Sequence, residues 1–364
     1  MKLVVFGLTI SSSWGNGHAT IWRGLARGLA ERGHRIVFFE RDVPYYANHR
    51  DMTEPPGAKL VLYESWQDVR KRAELELDSA DAGVVTSYCP DAVEACSLVL
   101  SSRASVRSFY DLDTPITLKA VESAGAVPYL PPYGLGDFDL VLSYTGGRAL
   151  KGLQGLLGAK NVHALYGSVD PEAHSPAVAL QEYAADLSYL GTYAQDRQEA
   201  LKTFFIEPAE RLPEKKFIIG GALYPQNFPW KPNIYFVRHV PPPAHPSFYC
   251  SSSFTLNVTR GAMKEMGWCP SGRLFEAAAC GVPVISDWWE GLDDFFEPGP
   301  EILIARSSDD VLAALELDEA EIRGIGKRAR ERTLAEHTSQ ARAAELELMI
   351  EKAACVRKGE PCGG

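Results

Sequence analysis

The feature that most restricts this chain is a strand, a helix and a second strand packed into its first 40 residues. Residues 2–8 are a short apolar run without alternation, the mark of a strand buried on both faces. A polar, glycine-rich loop follows over residues 9–17, and residues 18–32 place Ile21, Trp22, Leu25 and Leu29 on one helical face, with Gly33 as the stop. Residues 35–39 read as the next buried strand. A helical crossover between two such strands makes them parallel neighbours.

The pattern continues with strands over residues 82–87, 106–110 and 140–143. Residues 167–171, Gly-Ser-Val-Asp-Pro, with a second proline at 176, read as a linker. Beyond it the alternation restarts, with strands over 186–190, 216–219, 234–237 and 282–286 and helices over 195–205, 272–280 and 308–315. A helical region from 319 to about 355, broken near His337, closes the chain, and the tail 358–364 reads as loose. The expected architecture is α/β, two Rossmann-like domains facing each other across a cleft, spanning residues 1–170 and 171–338. A length of 364 residues suits two domains, and 46% hydrophobic with 23% charged residues can fill two cores.

Composition narrows the partners. The net charge of −10 and the lack of a long basic run argue against a nucleic-acid backbone or an anionic membrane. No apolar run approaches the roughly 20 residues of a membrane span. Residues 3–10 resemble a weak signal peptide but carry no A-x-A site, and they are followed by loop and helix. Seven scattered cysteines without a C-x-x-C pair indicate neither a disulfide framework nor a zinc knuckle, and a reducing cytosol is the expected location.

Two segments carry chemistry. In residues 269–287, Ser271 is placed to cap a helix whose N-terminus suits a phosphate. Arg273 and Glu276, three residues apart, share a face; a guanidinium can fork onto a diphosphate and a carboxylate can accept both ribose hydroxyls. The alternative is an ordinary αβ unit with a solvated Arg–Glu pair. The second segment is Gly15-Asn16-Gly17-His18, where glycine permits close backbone approach and an imidazole can take a proton from a hydroxyl, or simply border the helix. The same loop, with Thr20 and Glu40, imitates a dinucleotide fingerprint, weakened by the threonine where a third glycine belongs.

Residues 11–46 (SSSWGNGHATIWRGLARGLAERGHRIVFFERDVPYY), residues 109–115 (FYDLDTP) and residues 271–305, beginning SGRLFEAAACGVPVIS, together resemble glycosyltransferases related to the spore-maturation CgeB-like family. The matches fall in both halves and in order. The resemblance implies a GT-B fold, transfer of a glycosyl group from a nucleotide sugar, and no obligatory metal or other cofactor, the nucleotide diphosphate sugar being a co-substrate. It implies that Glu276 holds the donor ribose; in related retaining enzymes a further glutamate stands eight residues earlier, where this chain has Trp268. In proteins of this type the closing helix, here 339–355, often returns to the first domain.

The expected donor, uridine-linked, is held by the second domain. Candidate contacts there are Tyr193, Arg197, His239, Arg260, Ser271, Arg273, Glu276, Asp287, Trp288 and Gly291, with Gly17 from the first domain. Trp288 and Trp289 are open to two readings, a stacking surface for sugar or a core plug. His18, Asp111 and Asp113 are the candidate bases; Asp111-Leu112-Asp113 can also be read as a metal-binding D-x-D, but the metal set is expected to be none. The acceptor, whether small molecule, glycan or peptide, is left open, with a weak preference for inversion. Alternatives are a sugar-nucleotide epimerase or hydrolase, or a non-catalytic sugar-nucleotide-binding protein.

Overall fold

A computed structural model describes residues 1–359. Of the tail 358–364, residues 360–364, including Cys362, lie outside the described residues. The chain divides into two compact units: Met1–Gly167 together with the chain from Ser339 onward, and Ser168–Thr338.

The first unit is built on β1 (Lys2–Gly7), β2 (Arg35–Arg41), β3 (Ala58–Tyr63), β4 (Ala82–Thr86), β5 (Val106–Asp111), β6 (Leu140–Ser143) and β7 (Val162–Ala164). All pair in parallel, in the order β3-β2-β1-β4-β5-β6-β7. Chain order therefore reverses between β1 and β4, which opens a crevice at their carboxyl ends. The helix His18–Glu31 buries Trp22, Leu25 and Leu29, and the helix Ser339–Lys358 adds Ala343, Leu346 and Ile350 to the same core. Gly28 allows this approach, since a Cβ there would stand 2.7 Å from the Ser339 carbonyl oxygen.

The second unit carries β8 (Ala185–Leu190), β9 (Phe217–Gly220), β10 (Ile234–Val237), β11 (Ser252–Asn257), β12 (Val284–Asp287) and β13 (Leu303–Ala305). They form a parallel sheet in the order β10-β9-β8-β11-β12-β13, reversing between β8 and β11. Its core gathers Leu187, Phe205, Phe217, Ile219, Leu256 and Ile285.

Four strands, β3, β7, β11 and β13, have no counterpart in the sequence reading. β7 and β13 are three residues long and β11 opens on serines, so these three show no clear apolar run, whereas β3 carries Leu60-Val61-Leu62-Tyr63. The helix expected over 195–205 is a composite: a 3₁₀ turn Gln195–Arg197, a short α-helix Gln198–Leu201, a π-turn Lys202–Ile206 and a further turn Glu207–Arg211. The widened turn stands just before Pro208, whose missing N–H interrupts a regular ladder. The break near His337 falls between the helices Glu319–Glu336 and Ser339–Lys358.

Candidate functional site

In the second unit the switch point lies between the ends of β8 and β11, at Leu190 and Asn257. Arg273, in the first turn of the helix Gly272–Ala279, spans it. Its Nε donates to the Leu190 carbonyl at 2.5 Å and its Nη1 to Asn257 Oδ1 at 3.1 Å. The guanidinium lies over the Tyr189 ring, 5.2 Å from the centroid. These partners orient the cation without neutralising it.

Arg197 stands beside it. Its Nε is buried with no hydrogen-bond partner. Burial holds its guanidinium below the usual range, and the neighbouring Arg273 and Arg260 push in the same direction against the opposing pull of Tyr189 and Asp196. Among the described residues neither Arg197 nor Arg273 forms an ion pair, whereas Arg260 is committed to Asp196 at 2.9 Å. The backbone supports the same polarity. Ser271 Oγ accepts the Arg273 N–H at 3.4 Å, and the N-terminus of its helix faces this crevice side of the sheet. Two cations held side by side at a helix N-terminus form a receptor for a polyanion.

Glu276 lies one turn further along. Burial raises its carboxyl, but His174, His245, Arg273 and the Tyr249 hydroxyl outweigh that and hold it below the ordinary glutamate value. Its Oε2 accepts from Tyr249 Oη at 3.2 Å.

The remaining candidates separate. Tyr193 donates its N–H to the Ala222 carbonyl and its hydroxyl to Gln195. His239 is exposed in the loop after β10. Asp287, at the end of β12, is a correction: it is buried, accepts the Thr259 N–H at 3.0 Å and lies 3.4 Å from Lys264 Nζ, so its carboxylate is occupied by the protein. The Arg260–Asp196 pair likewise reduces what Arg260 can offer a ligand. Gly291 has φ of +87°, and a Cβ there would stand 2.4 Å from the Trp268 ring. Its need for glycine is thus internal, because Trp268 packs on it and donates Nε1–H to Asp294 at 2.6 Å.

The two tryptophans divide their roles. Trp289 is 1% exposed and packs against Phe295, while Trp288 is half-buried. Trp289→Ala is expected to lower stability by about 3–5 kcal/mol, measured by denaturant unfolding. Trp289→Phe should cost much less, because Trp289 Nε1 is buried without a partner and phenylalanine removes that orphan donor.

In the first unit the corresponding switch point lies after β1 and β4. The loop after β1 is anchored by Glu40 at the end of β2. This fully buried carboxylate accepts from Thr9 Oγ1 at 3.0 Å, Ile10 N at 2.7 Å, Ser11 N at 3.0 Å and Ser11 Oγ at 2.6 Å. Both oxygens are taken, so Glu40 has no free lone pair directed at a ribose and the dinucleotide reading loses its acidic residue. Gly17 caps the next helix with its backbone only, and nothing stands within 4 Å of where a Cβ would be.

His18, the first helical residue, is 8% exposed. Its Nε2 lies 3.8 Å from Asp113 Oδ2, its Nδ1 is buried without a partner, and its ring meets Tyr88 edge-on at 5.6 Å. The structure separates the two aspartates read as equivalent bases. Asp113 keeps a partly exposed carboxylate beside the imidazole. Asp111 is 0% exposed, which takes it out of reach of a substrate hydroxyl. Burial raises its carboxyl to about 6, against the lowering effect of bonds from Asp113 N–H and Thr117 Oγ1.

The folded state therefore holds the Asp111 proton more tightly than the unfolded chain, whose value is near 3.8. Its contribution to stability is full below that value and is lost as pH rises through about 6, a change of about 3 kcal/mol. A carbon-13 carboxyl titration of the folded protein should show Asp111 with a midpoint near 6, separate from the surface carboxylates.

Several participants were not legible in the sequence. Tyr189 and Asn257, which orient Arg273, and Tyr249, which holds Glu276, lie far from it in the chain and carry no local motif. Among the described residues, no helix is long and apolar enough to cross a membrane.

Comparison with known proteins bears on this arrangement. Residues 197–347 match the family described as glycosyl transferase-like. Curated proteins yield no match. Among solved structures, sucrose-phosphate synthase from Thermosynechococcus elongatus superposes with a TM-score of 0.68 at 13% identity, covering 98% of this chain and 99% of the other. Anabaena HepE in complex with UDP-glucose gives 0.65 at 11% identity, covering 95% and 99%. The catalytic domain of starch synthase IV from Arabidopsis thaliana, bound to ADP and acarbose, gives 0.66 at 12% identity, covering 97% and 99%. The two parallel-sheet α/β domains have the GT-B glycosyltransferase fold, and the glycosyl transferase-like match covers most of the second unit.

Proposed function

We propose that this protein is a glycosyltransferase that moves a sugar from a nucleotide diphosphate sugar, uridine-linked, to a hydroxyl-bearing acceptor, and that it belongs with the CgeB-like enzymes. One observation carries the reading: Arg197 and Arg273 converge at the switch point of the second unit with no carboxylate of the described residues pairing either. Keeping two half-buried like charges together is costly unless a polyanion meets them, and a diphosphate matches both charge and geometry. In this reading the helix N-terminus at Ser271 adds its dipole, and Glu276 accepts the ribose hydroxyls.

In this reading His18 is the base. The acceptor O–H gives its proton to His18 as the oxygen bonds to the anomeric carbon. The bond from that carbon to the diphosphate breaks, and its electron pair leaves with the nucleotide. Asp113 then stands beside the imidazolium that forms. The arginines stabilise the departing charge, so the transfer is read as metal-independent. A single displacement of this kind inverts the anomeric centre, and the tryptophan at position 268 supports that preference, since it replaces the second glutamate of the related retaining enzymes.

The test is a thermal-shift and calorimetric screen of UDP-, GDP-, dTDP- and ADP-sugars against NAD. Binding of a UDP-sugar with no response to NAD is expected. A response to NAD alone would overturn the reading.

A further inference from the structure

Two imidazoles stand behind Glu276 that the transfer reaction does not use. His174 lies shortly after the linker, 4% exposed, and its Nε2 is buried without a hydrogen-bond partner. His245 opens the short helix His245–Cys250, and its Nε2 lies 3.1 Å from the Val240 carbonyl oxygen. A carbonyl only accepts, so that nitrogen carries the proton and Nδ1 keeps a bare lone pair.

One ligand atom from each of His174, His245 and Glu276 lies within 4.8 Å of the others. No hydrogen bond links either imidazole to the carboxylate. A buried nitrogen left unpaired costs about 1–3 kcal/mol, and a cation at the centre of the triangle satisfies all three groups together. Two imidazoles and one carboxylate make a zinc donor set with an open fourth position, and the backbone bond of His245 is the usual way such a ligand is oriented. A ligand shell at about 2.0–2.2 Å requires the three side chains to close in slightly by rotation.

We propose that His174, His245 and Glu276 form a binding site for a zinc-class divalent ion. Resting on the donor reading above, the ion also competes with the nucleotide ribose for Glu276, so that metal occupancy suppresses donor binding rather than assisting transfer.

Full-length, tag-free protein stripped with EDTA and exchanged into buffer would be dialysed against zinc and its metal content measured. The expected result is one zinc per chain. It is lost in His174→Gln and in the His174→Ala/His245→Ala double variant, and kept in His163→Ala, an exposed histidine elsewhere. Circular dichroism and melting of each variant confirm that the fold persists. Cobalt in place of zinc should give the visible bands of a four-coordinate nitrogen and oxygen site without a near-ultraviolet thiolate band. Zinc content unchanged in the well-folded His174→Gln protein, a thiolate band, or no stoichiometric zinc in the parent would each overturn the site.

The second arm measures UDP-glucose binding with and without low-micromolar zinc. At least tenfold weaker binding with zinc is expected, and unchanged affinity in a zinc-loaded protein overturns the competition. Failure of UDP-glucose to bind the metal-free protein instead refutes the donor reading, and with it the competition, while the dialysis result still decides the site.

Discussion

Arg197→Ala is expected to leave the ligand-free protein at least as stable as the parent while weakening UDP-sugar binding by about a hundredfold, or close to 3 kcal/mol. The two halves of that expectation have one cause. Arg197 has a buried Nε with no partner, and its charge faces Arg273 and Arg260. In the free protein desolvation and the repulsion of two cations outweigh the opposing pull of Tyr189 and Asp196, so its removal relieves a cost. When a diphosphate is bound, the same guanidinium becomes a charge-assisted donor in a site of low polarity, and its removal is felt in full. Unfolding by denaturant and donor titration by calorimetry would be run on the same preparation.

The comparison with Arg273→Ala sharpens the point. Arg273 holds the ends of β8 and β11 through Leu190 and Asn257, so its loss should lower both stability and donor affinity. A structural role for both arginines would lower stability in both variants. Unchanged donor affinity in the Arg197 variant would remove the basis for a diphosphate site.

His18→Ala should lower kcat by about 10²- to 10⁴-fold, with donor affinity within about twofold of the parent. The imidazole is buried on one side and open enough at Nε2 to lie 3.8 Å from Asp113. Removal of a base changes the proton transfer, not the grip on the nucleotide, which the proposed reading assigns to Arg197, Arg273 and Glu276. Asp113→Asn should give a smaller loss, about tenfold to a hundredfold, because it takes away only the charge next to the imidazolium. His18→Ala with full activity would reassign the base; a parallel loss of donor affinity would mean that the histidine binds rather than reacts. Both variants are read by steady-state kinetics with product release measured alongside donor binding.

The aspartates show why such assignments need coordinates. Asp111 and Asp113 are two residues apart and chemically identical in the sequence. They differ only because β5 ends at Asp111, which points its carboxyl into the packed interior, whereas Asp113 stands at the N-cap position of the next helix with its carboxylate partly exposed. Tryptophans 288 and 289 divide in the same way, one half-buried and one in the core.

What the chain determines by itself is the parallel α/β plan and the position of its working ends. Apolar runs flanking a helical pattern dictate a crossover, and the Ser271–Arg273–Glu276 spacing is local to one helical turn. These are short-range properties, written in neighbouring residues. Tertiary structure alone decided what surrounds them: that Arg273 bridges β8 and β11, that Glu40 is consumed by the loop after β1, and that His174 and His245 meet Glu276. Those partners are brought together by strand order, which reverses between β1 and β4 in one unit and between β8 and β11 in the other, and no periodicity in the sequence encodes which strands become neighbours.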